Sequence, residues 1–292
     1  MLQVRQLVHS MAEDSVDLSG GLEDVPVLCE ALIPPTFKYS TDNVQGPGYS
    51  VDPSEVTLPG CSCISHSCHP ETCTCLQTSD KAYDETGRLL NLDGPESGYS
   101  SPVFECNALC TCSDTCSNRV VGRGLRLKLE VCRTRSKGWG VRTTEEIPRG
   151  TFVCEYAGEV ITFAEAKCRQ LSQRVEENNY IISVREHAGM DSVTETFVDP
   201  ARTGNVGRFL NHSCAPNLYM LPVRVHSAIP RLALFAVRDI HAQEELTFDY
   251  SGRYGAQKPV EVLSRDGLKR KKCHCSSVNC ARFLPLDLSI LG

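Results

Sequence analysis

The string GRFLNHSC (residues 207–214), followed after a predicted pair of strands by ELTFDY (245–250), decides how this chain is interpreted. In both strings, polar side chains that can form hydrogen bonds stand next to apolar, strand-forming residues. A third string, KGWG (137–140), has glycines on both sides of an aromatic residue, which lets the backbone approach a ligand closely. Alone it is more simply interpreted as a tight turn. Together, the three strings indicate one composite site.

Short strand patterns surround these strings. From residue 125, Leu125, Leu127 and Leu129 alternate with charged residues, which is typical of a half-buried strand. Further strands are predicted in TFVCEYAGEVI (151–161), YIISVRE (180–186), ETFVD (195–199), LYMLPVRV (218–225) and RLALFAV (231–237). One helix is predicted after Thr162, because Thr162 and Glu165 form a capping box before a run of good helix formers (163–177). The chain is therefore predicted to be mainly β.

A first group of cysteines has the spacing of a metal cluster. It reads C-x-C-x4-C-x4-C-x-C and then C-x3-C-x-C-x3-C, formed by Cys61, Cys63, Cys68, Cys73, Cys75, Cys106, Cys110, Cys112 and Cys116. Three tetrahedral zinc ions need twelve ligand positions, which nine cysteines supply if three of them bridge two ions each. The alternative is two ordinary zinc sites with one spare thiol. In either case the block is structural, and we expect it not to fold without metal.

A second group of cysteines lies near the end of the chain. Cys273, Cys275 and Cys280 make an incomplete tetrahedral site, and we expect Cys214 to complete it. His274 is an alternative ligand that its position between two ligands disfavours. A zinc ion at this site would join the tail to the middle of the chain. The remaining cysteines are expected to be buried or incidental: Cys29, Cys132, Cys154 and Cys168.

Length and composition limit the class of protein. The 292 residues can form one large domain or two modest ones. No apolar run approaches the length of a bilayer span, and MLQVRQLVHS (1–10) lacks the apolar core of a secretory signal. The chain is thus expected to be intracellular and soluble, with its 17 cysteines holding metal; a disulfide-rich secreted protein is the alternative. A pI near 5.8 argues against non-specific binding of nucleic acid.

The combination of nine ordered cysteines, RFLNHSC, ELTFDY and the C-x-C-x4-C tail resembles the SET-domain lysine methyltransferases, in their suppressor-of-variegation branch. The resemblance covers about residues 58–286. It implies a mainly β SET-domain fold of short strands with a knot-like active site, flanked by a three-zinc pre-SET module and a zinc-binding post-SET tail. The implied segments are 1–57 (N-terminal, partly irregular), 58–123 (pre-SET), 124–251 (SET), 252–268 (linker) and 269–286 (post-SET).

The resemblance also implies an activity, namely transfer of methyl groups from S-adenosylmethionine to a lysine of histone H3. Tyr250 is implied as the main catalytic residue, and Tyr180 as a second tyrosine at the cofactor and the lysine channel. Phe248 stands where the family alternates between phenylalanine and tyrosine, which implies di- or trimethylation. The implied cofactor contacts are Lys137, Gly138, Trp139, Tyr180, Arg208, Asn211 and His212.

Partners and alternatives follow from the same resemblance. A histone H3 tail or nucleosome is the expected partner, in the nucleus and on chromatin, with no membrane. GPG (46–48) and VDPSEVTLPGCSC (51–63) resemble a branch member fused to a transposase. Since this chain stops at Gly292, no direct sequence-specific DNA binding is expected. A non-catalytic chromatin-binding module and a methyltransferase of non-histone proteins stay open, as does the target lysine.

Overall fold

A computed structural model describes residues 15–30, 37–64, 67–77, 81–92, 102–174, 177–187, 193–251, 271–285 and 290. The described strands are β1 (Val16–Asp17), β2 (Leu28–Cys29), β3 (Lys38–Tyr39), β4 (Val44–Gln45), β5 (Val103–Phe104), β6 (Leu129–Arg133), β7 (Trp139–Thr143), β8 (Phe152–Glu155), β9 (Gly158–Ile161), β10 (Ile182–His187), β11 (Val193–Gly204), β12 (Asn211–His212), β13 (Leu218–Arg224), β14 (Arg231–Ala236) and β15 (Glu245–Phe248). The described helices are α1 (Thr74–Gln77) and α2 (Phe163–Ser172), with 3-10 turns at Val121–Arg123 and Val206–Phe209.

The strands form two sheets. The larger, ten-stranded sheet follows the order β1-β2-β6-β7-β15-β13-β14-β8, with β12 paired to β15 and β5 paired to β13. The smaller, five-stranded sheet follows the order β10-β11-β9-β4, with β3 paired to β11. The prediction of a mainly β chain is confirmed.

Most strand patterns gave strands close to their predicted positions. The 151–161 pattern divides into β8 and β9 at Tyr156 and Ala157, and each part pairs in a different sheet. The alternating pattern from residue 125 yields strand only from Leu129, since residues 125–128 follow the 3-10 turn and Gly124, whose φ is 72°. Leu125 is nevertheless 5% exposed and belongs to the core. The alternation therefore predicted burial better than strand length.

The N-terminal part contributes to both sheets, which its irregular sequence did not predict. β2 pairs in parallel with β6 of the larger sheet, and β4 pairs in parallel with β9 of the smaller one. These pairs hold only two residues each, so hydrophobic periodicity could not reveal them. Segments ahead of the cysteine block are thus part of the folded body.

Helix α2 begins as predicted. The Thr162 side chain accepts a hydrogen bond from the backbone N–H of Glu165 at 3.2 Å, which caps the first turn. Arg169 lies at the other end of α2 and pairs with Asp199 of β11 at 2.8 Å and with Glu159 of β9 at 2.7 Å. The helix is therefore fixed against the smaller sheet by charge as well as by packing.

A buried carboxylate ties the cysteine block to the larger sheet. Glu105 is 2% exposed and accepts hydrogen bonds from the Tyr83 hydroxyl at 2.7 Å and from the backbone N–H groups of Val121 and Gly122 at 2.8 and 3.0 Å. Burial raises the pKa of Glu105, while these donors lower it. The carboxylate is satisfied, and it fixes the turn that leads into β6.

No helix in the described part of the chain is both long enough and apolar enough to cross a bilayer.

We expect Leu234→Ala to lower the free energy of unfolding of the zinc-loaded protein by about 2–5 kcal/mol, because truncation leaves a cavity in the core. Leu234 lies on β14 and is 0% exposed. Leu109→Ala, at a residue that is 58% exposed, is the matched control and should change it by less than about 0.5 kcal/mol. Denaturant titration of both variants measures the difference. Equal effects at the two positions would contradict the described core.

Candidate active site and zinc centres

The site forms where two distant segments lie side by side. β12 pairs in parallel with β15, with Asn211 opposite Thr247 and His212 opposite Phe248. The backbone N–H of Ser213 donates to the Phe248 carbonyl oxygen at 3.1 Å. β13 and β14 lie between the two segments in sequence, so the GRFLNHSC and ELTFDY strings meet only in the folded chain.

Tyr250, two residues after the end of β15, is held at both its hydroxyl and its backbone N–H. Its hydroxyl donates to the Leu210 carbonyl oxygen at 2.8 Å, and its backbone N–H donates to Nδ1 of His212 at 3.3 Å. Burial raises the pKa of Tyr250 and lowers the pKa of His212, so both side chains are neutral at pH 7. The phenol is therefore a fixed dipole rather than a base.

Aromatic rings line the space beside this phenol. Phe248 is 2% exposed, and its ring centroid lies 4.9 Å from that of Tyr250 and 5.7 Å from that of Tyr156. The Tyr156 hydroxyl donates to the Tyr180 carbonyl oxygen at 2.6 Å, which brings the predicted Tyr180 to the same place. Such apolar walls disfavour a charged amine.

Arg208 lies under the ring of Tyr180. Its guanidinium carbon is 4.8 Å from the Tyr180 ring centroid and 4.5 Å from that of Phe37, and its Nε donates to the carbonyl oxygen of residue 200 at 3.0 Å. Burial lowers the pKa of Arg208. Its usual value is so high that Arg208 stays cationic, in contact with the rings of Phe37, Tyr180 and Phe209.

Asn211 connects the strand pair to the KGWG turn. Its side-chain N–H bonds donate to the Trp139 carbonyl oxygen at 2.9 Å and to Glu245 Oε1 at 3.0 Å. Since both partners are acceptors, they fix the amide orientation, and the side-chain oxygen of Asn211 is left to accept from a ligand. Glu245 Oε2 also pairs with Lys137 Nζ at 2.6 Å, so one carboxylate holds both segments.

The KGWG turn leaves space for a ligand. Gly138 has a φ of 77°, and a Cβ added there would meet nothing within 4 Å. A cavity of about 520 Å³ begins beside the turn and is lined by Arg135, Ser136, Cys273, His274, Ser276 and Cys280. Arg135 and Ser136, just before the KGWG turn, and the cysteine tail thus line one cavity.

Three overlapping groups of cysteines in the 61–116 block have their sulfur atoms within 4.8 Å of one another: Cys61, Cys68, Cys73 and Cys106; Cys61, Cys75, Cys106 and Cys110; Cys68, Cys106, Cys112 and Cys116. Tetrahedral zinc with Zn–S bonds of about 2.3 Å places sulfur atoms about 3.8 Å apart. The Cys61–Cys68 and Cys68–Cys106 sulfurs are 3.9 and 3.8 Å apart. These spacings fit zinc and are far too long for disulfide bonds.

The overlaps reveal which thiolates are shared. Cys61 and Cys68 each belong to two groups, and Cys106 belongs to all three. Cys63, which the sequence predicts as a ligand, lies outside these groups, with its sulfur 3.9 Å from the Thr72 carbonyl oxygen. The structure therefore brings eight of the nine predicted ligands together.

The tail cysteines meet Cys214. The sulfur atoms of Cys214, Cys273, Cys275 and Cys280 lie within 4.8 Å of one another, and those of Cys214 and Cys273 are 4.0 Å apart. His274 is outside this group and lines the cavity instead. Because Cys214 is two residues beyond His212, a zinc ion here fixes the tail against the strand pair. Of the other cysteines, Cys29, Cys132 and Cys154 are buried and Cys168 is exposed.

Sequence reasoning missed three contributors to the site. Glu245 begins the ELTFDY string and β15, and its pairing with Lys137, 108 positions earlier, could not be located without the fold. Tyr156 stood inside a strand pattern that indicated only burial. Phe37 lies in the segment without a pattern and packs against Arg208.

Comparisons with known proteins agree along most of the chain. A model of the SET domain matches residues 138–251, and a model of the Pre-SET motif matches residues 19–119. A histone-lysine N-methyltransferase SETMAR of Bos taurus is 50% identical over 287 residues, covering 97% of this chain and 93% of that protein. The crystal structure of the methyltransferase domain of human histone-lysine N-methyltransferase SETMAR has a TM-score of 0.81 and 46% identity, covering 93% of this chain and 98% of that one.

A further solved structure carries ligands. It is that of KRYPTONITE in complex with mCHH DNA, H3(1-15) peptide and SAH, with a TM-score of 0.71 and 31% identity, covering 94% of this chain and 54% of that one.

We expect Cys273→Ser to remove one zinc ion per chain, because the tail group then offers only three thiolates. The other zinc ions should stay, since the 61–116 block shares no ligand with the tail group. Cys168→Ser, at an exposed cysteine of α2, is the control and should keep the wild-type zinc content. Elemental analysis of the purified proteins measures this. Unchanged zinc in Cys273→Ser would contradict the assignment.

Proposed function

Since this chain belongs to the SET-domain histone-lysine methyltransferases, we propose that it transfers methyl groups from S-adenosylmethionine to a lysine of histone H3. One observation carries the proposal. The Tyr250 hydroxyl is fixed on the Leu210 carbonyl oxygen beside the Asn211–His212 strand, within an aromatic enclosure. A related structure that holds an H3 peptide and SAH supports the same substrate class.

The proposed methyl-donor site lies between the KGWG turn, the strand pair and the tail. When bound, S-adenosylmethionine supplies a methyl group activated by a sulfonium. The backbone of residues 137–139 provides close approach, and the Asn211 side-chain oxygen accepts a hydrogen bond. Arg208 and Tyr180 give a cationic and an aromatic surface, and His212 orients the strand. These donor and acceptor types fit a ligand with a charged amino acid part and a nucleoside part.

Proton removal from the substrate lysine is the main chemical difficulty. A lysine with a pKa of about 10.4 costs about 4.6 kcal/mol to deprotonate at pH 7 in water. The rings of Tyr156, Phe248 and Tyr250 lower this cost, because they exclude the water that stabilises the ammonium. The fixed Tyr250 dipole then aligns the neutral amine for in-line attack.

Phe248 is proposed to set the degree of methylation. Its ring lies between Tyr156 and Tyr250, so a hydroxyl at this position would enter the enclosure. Phenylalanine leaves that volume free for a second or third methyl group. The product of this chain is therefore proposed to be di- or trimethyl-lysine.

We propose that the 61–116 block binds three zinc ions, with three of its cysteines each bridging two ions. A thiolate that bridges three zinc ions would be unusual, as the overlap at Cys106 would require. If Cys63 replaces Cys106 in the group with Cys61, Cys68 and Cys73, each bridging cysteine serves two ions. All nine cysteines are then ligands of three ions, and Cys214 with the three tail cysteines holds the fourth.

The wider context is proposed from the same family. Residues 58–123 act as the pre-SET module, 124–251 as the catalytic SET part and 269–286 as the post-SET segment, joined through 252–268 and preceded by 1–57. Residues 252–270 lie outside the described part of the chain. The proposed place of action is chromatin in the nucleus, on the H3 tail within nucleosomes, without direct sequence-specific contacts to DNA.

Tyr250→Phe tests the catalytic role. It removes the hydroxyl that donates to Leu210 but keeps the ring that packs on Phe248, so we expect kcat on histone H3 to fall about 10²–10³-fold with little change in donor affinity. Labelled methyl transfer and calorimetric binding of S-adenosylmethionine measure the two effects. Tyr49→Phe, outside the site, is the control. Full activity in Tyr250→Phe would refute the assignment.

Phe248→Tyr tests the product assignment. The added hydroxyl should shift wild-type di- or trimethyl-lysine toward monomethyl-lysine, because it occupies the space of an added methyl group. Mass spectrometry of an H3 peptide after complete reaction reads this directly. The proposal fails if the wild-type protein makes only monomethyl-lysine and the variant makes the same product.

A further inference from the structure

Ile290 packs on a surface that is distant from it in sequence. Ile290 is 1% exposed and clusters with Ile161 of β9, Ala166 of α2 and Phe197 of β11. Ala166 is the buried residue of α2, so Ile290 fills the seam between this helix and the smaller sheet. The cluster is separate from the three larger clusters of buried residues in the described part of the chain. Ile290 itself lies outside the residues matched by the SET and Pre-SET models.

The same cluster reaches the segment that carries Tyr180. Ile181 packs against the Ile290 cluster, and its backbone N–H donates to Asn179 Oδ1 at 3.0 Å. Residues 177–181 precede β10 and form neither helix nor strand, so external contacts must fix their position. The cluster that contains Ile290 provides one such contact, at Ile181, the residue directly after Tyr180 in sequence.

A second contact from the tail holds the other side of Tyr180. The Lys271 ammonium donates to the Glu177 carbonyl oxygen and to Asn178 Oδ1, the latter at 3.1 Å. Lys271 therefore contacts the 177–181 segment before Tyr180, and the cluster that contains Ile290 contacts it after Tyr180. Cys273, two residues after Lys271, belongs to the zinc group with Cys214.

From these contacts we propose that Ile290 is a positioning residue: with Lys271 it fixes the 177–181 segment and thereby the Tyr180 ring over Arg208. The Tyr180 ring stacks on Arg208 at 4.8 Å, and the Tyr180 carbonyl oxygen holds the hydroxyl of Tyr156. A shift of residues 177–181 would displace both the cationic surface and the aromatic wall. The consequence for methyl transfer rests on the proposed function, whereas the positioning itself does not.

The test uses the full, zinc-loaded chain and three variants. Ile290→Asp puts a charge into the apolar seam, and Ile290→Val is the conservative variant. Val278→Asp is the matched control in the same tail, since Val278 is fully exposed. Hydrogen–deuterium exchange of residues 177–182, zinc content, and kcat and KM for S-adenosylmethionine and an H3 peptide are measured for each.

We expect Ile290→Asp to speed exchange at residues 177–182 about tenfold or more with wild-type zinc content. Its kcat/KM should fall about 10- to 100-fold, because displaced positioning groups are costly. Ile290→Val should keep the wild-type exchange rate at residues 177–182 and the wild-type kcat/KM, and so should Val278→Asp. Unchanged exchange at 177–182 in Ile290→Asp, or faster exchange across the whole chain, would overturn the proposal. Inactivity of the wild-type protein would refute the proposed function and leave the exchange comparison to decide this one.

Discussion

The parallel pairing of β12 with β15 is the constraint on which the rest of the structure depends. It brings Asn211 and His212 beside the strand that ends before Tyr250, and the Leu210 carbonyl oxygen accepts a hydrogen bond from the Tyr250 hydroxyl. Strands that pair in parallel need a long crossover, here supplied by β13 and β14. Zinc at Cys214 strengthens the arrangement, because it ties the tail to the residue just past this pair.

The electrostatics of the site follow from that pairing. The polar groups in the enclosure carry no charge. Burial keeps Tyr250 and His212 neutral, and the side-chain N–H bonds of Asn211 donate to two acceptors. Charged groups lie at its margin, where Lys137 pairs with Glu245 and Arg208 stacks on rings. An uncharged amine is the form of lysine that such an interior accepts, and it is also the form that attacks a sulfonium methyl group.

Much of this was predictable from the sequence, and the limits have physical reasons. The family resemblance, the mainly β fold and the zinc-binding cysteine groups are confirmed, because strand alternation and thiolate spacing are local signals. The two-residue strands before residue 46 were missed, since they are too short to carry a period. Glu245 and Tyr156 were missed because their roles come from partners distant in sequence. The buried position of Ile290 likewise depends on α2 and the smaller sheet.

The most direct measurement is methyl transfer by the zinc-loaded wild-type protein from labelled S-adenosylmethionine to recombinant histone H3, followed across pH 7 to 9. The account predicts label on a lysine of H3, with a rate that rises with pH as more of the substrate amine loses its proton. Neither binding of the methyl donor nor label on any histone would contradict it.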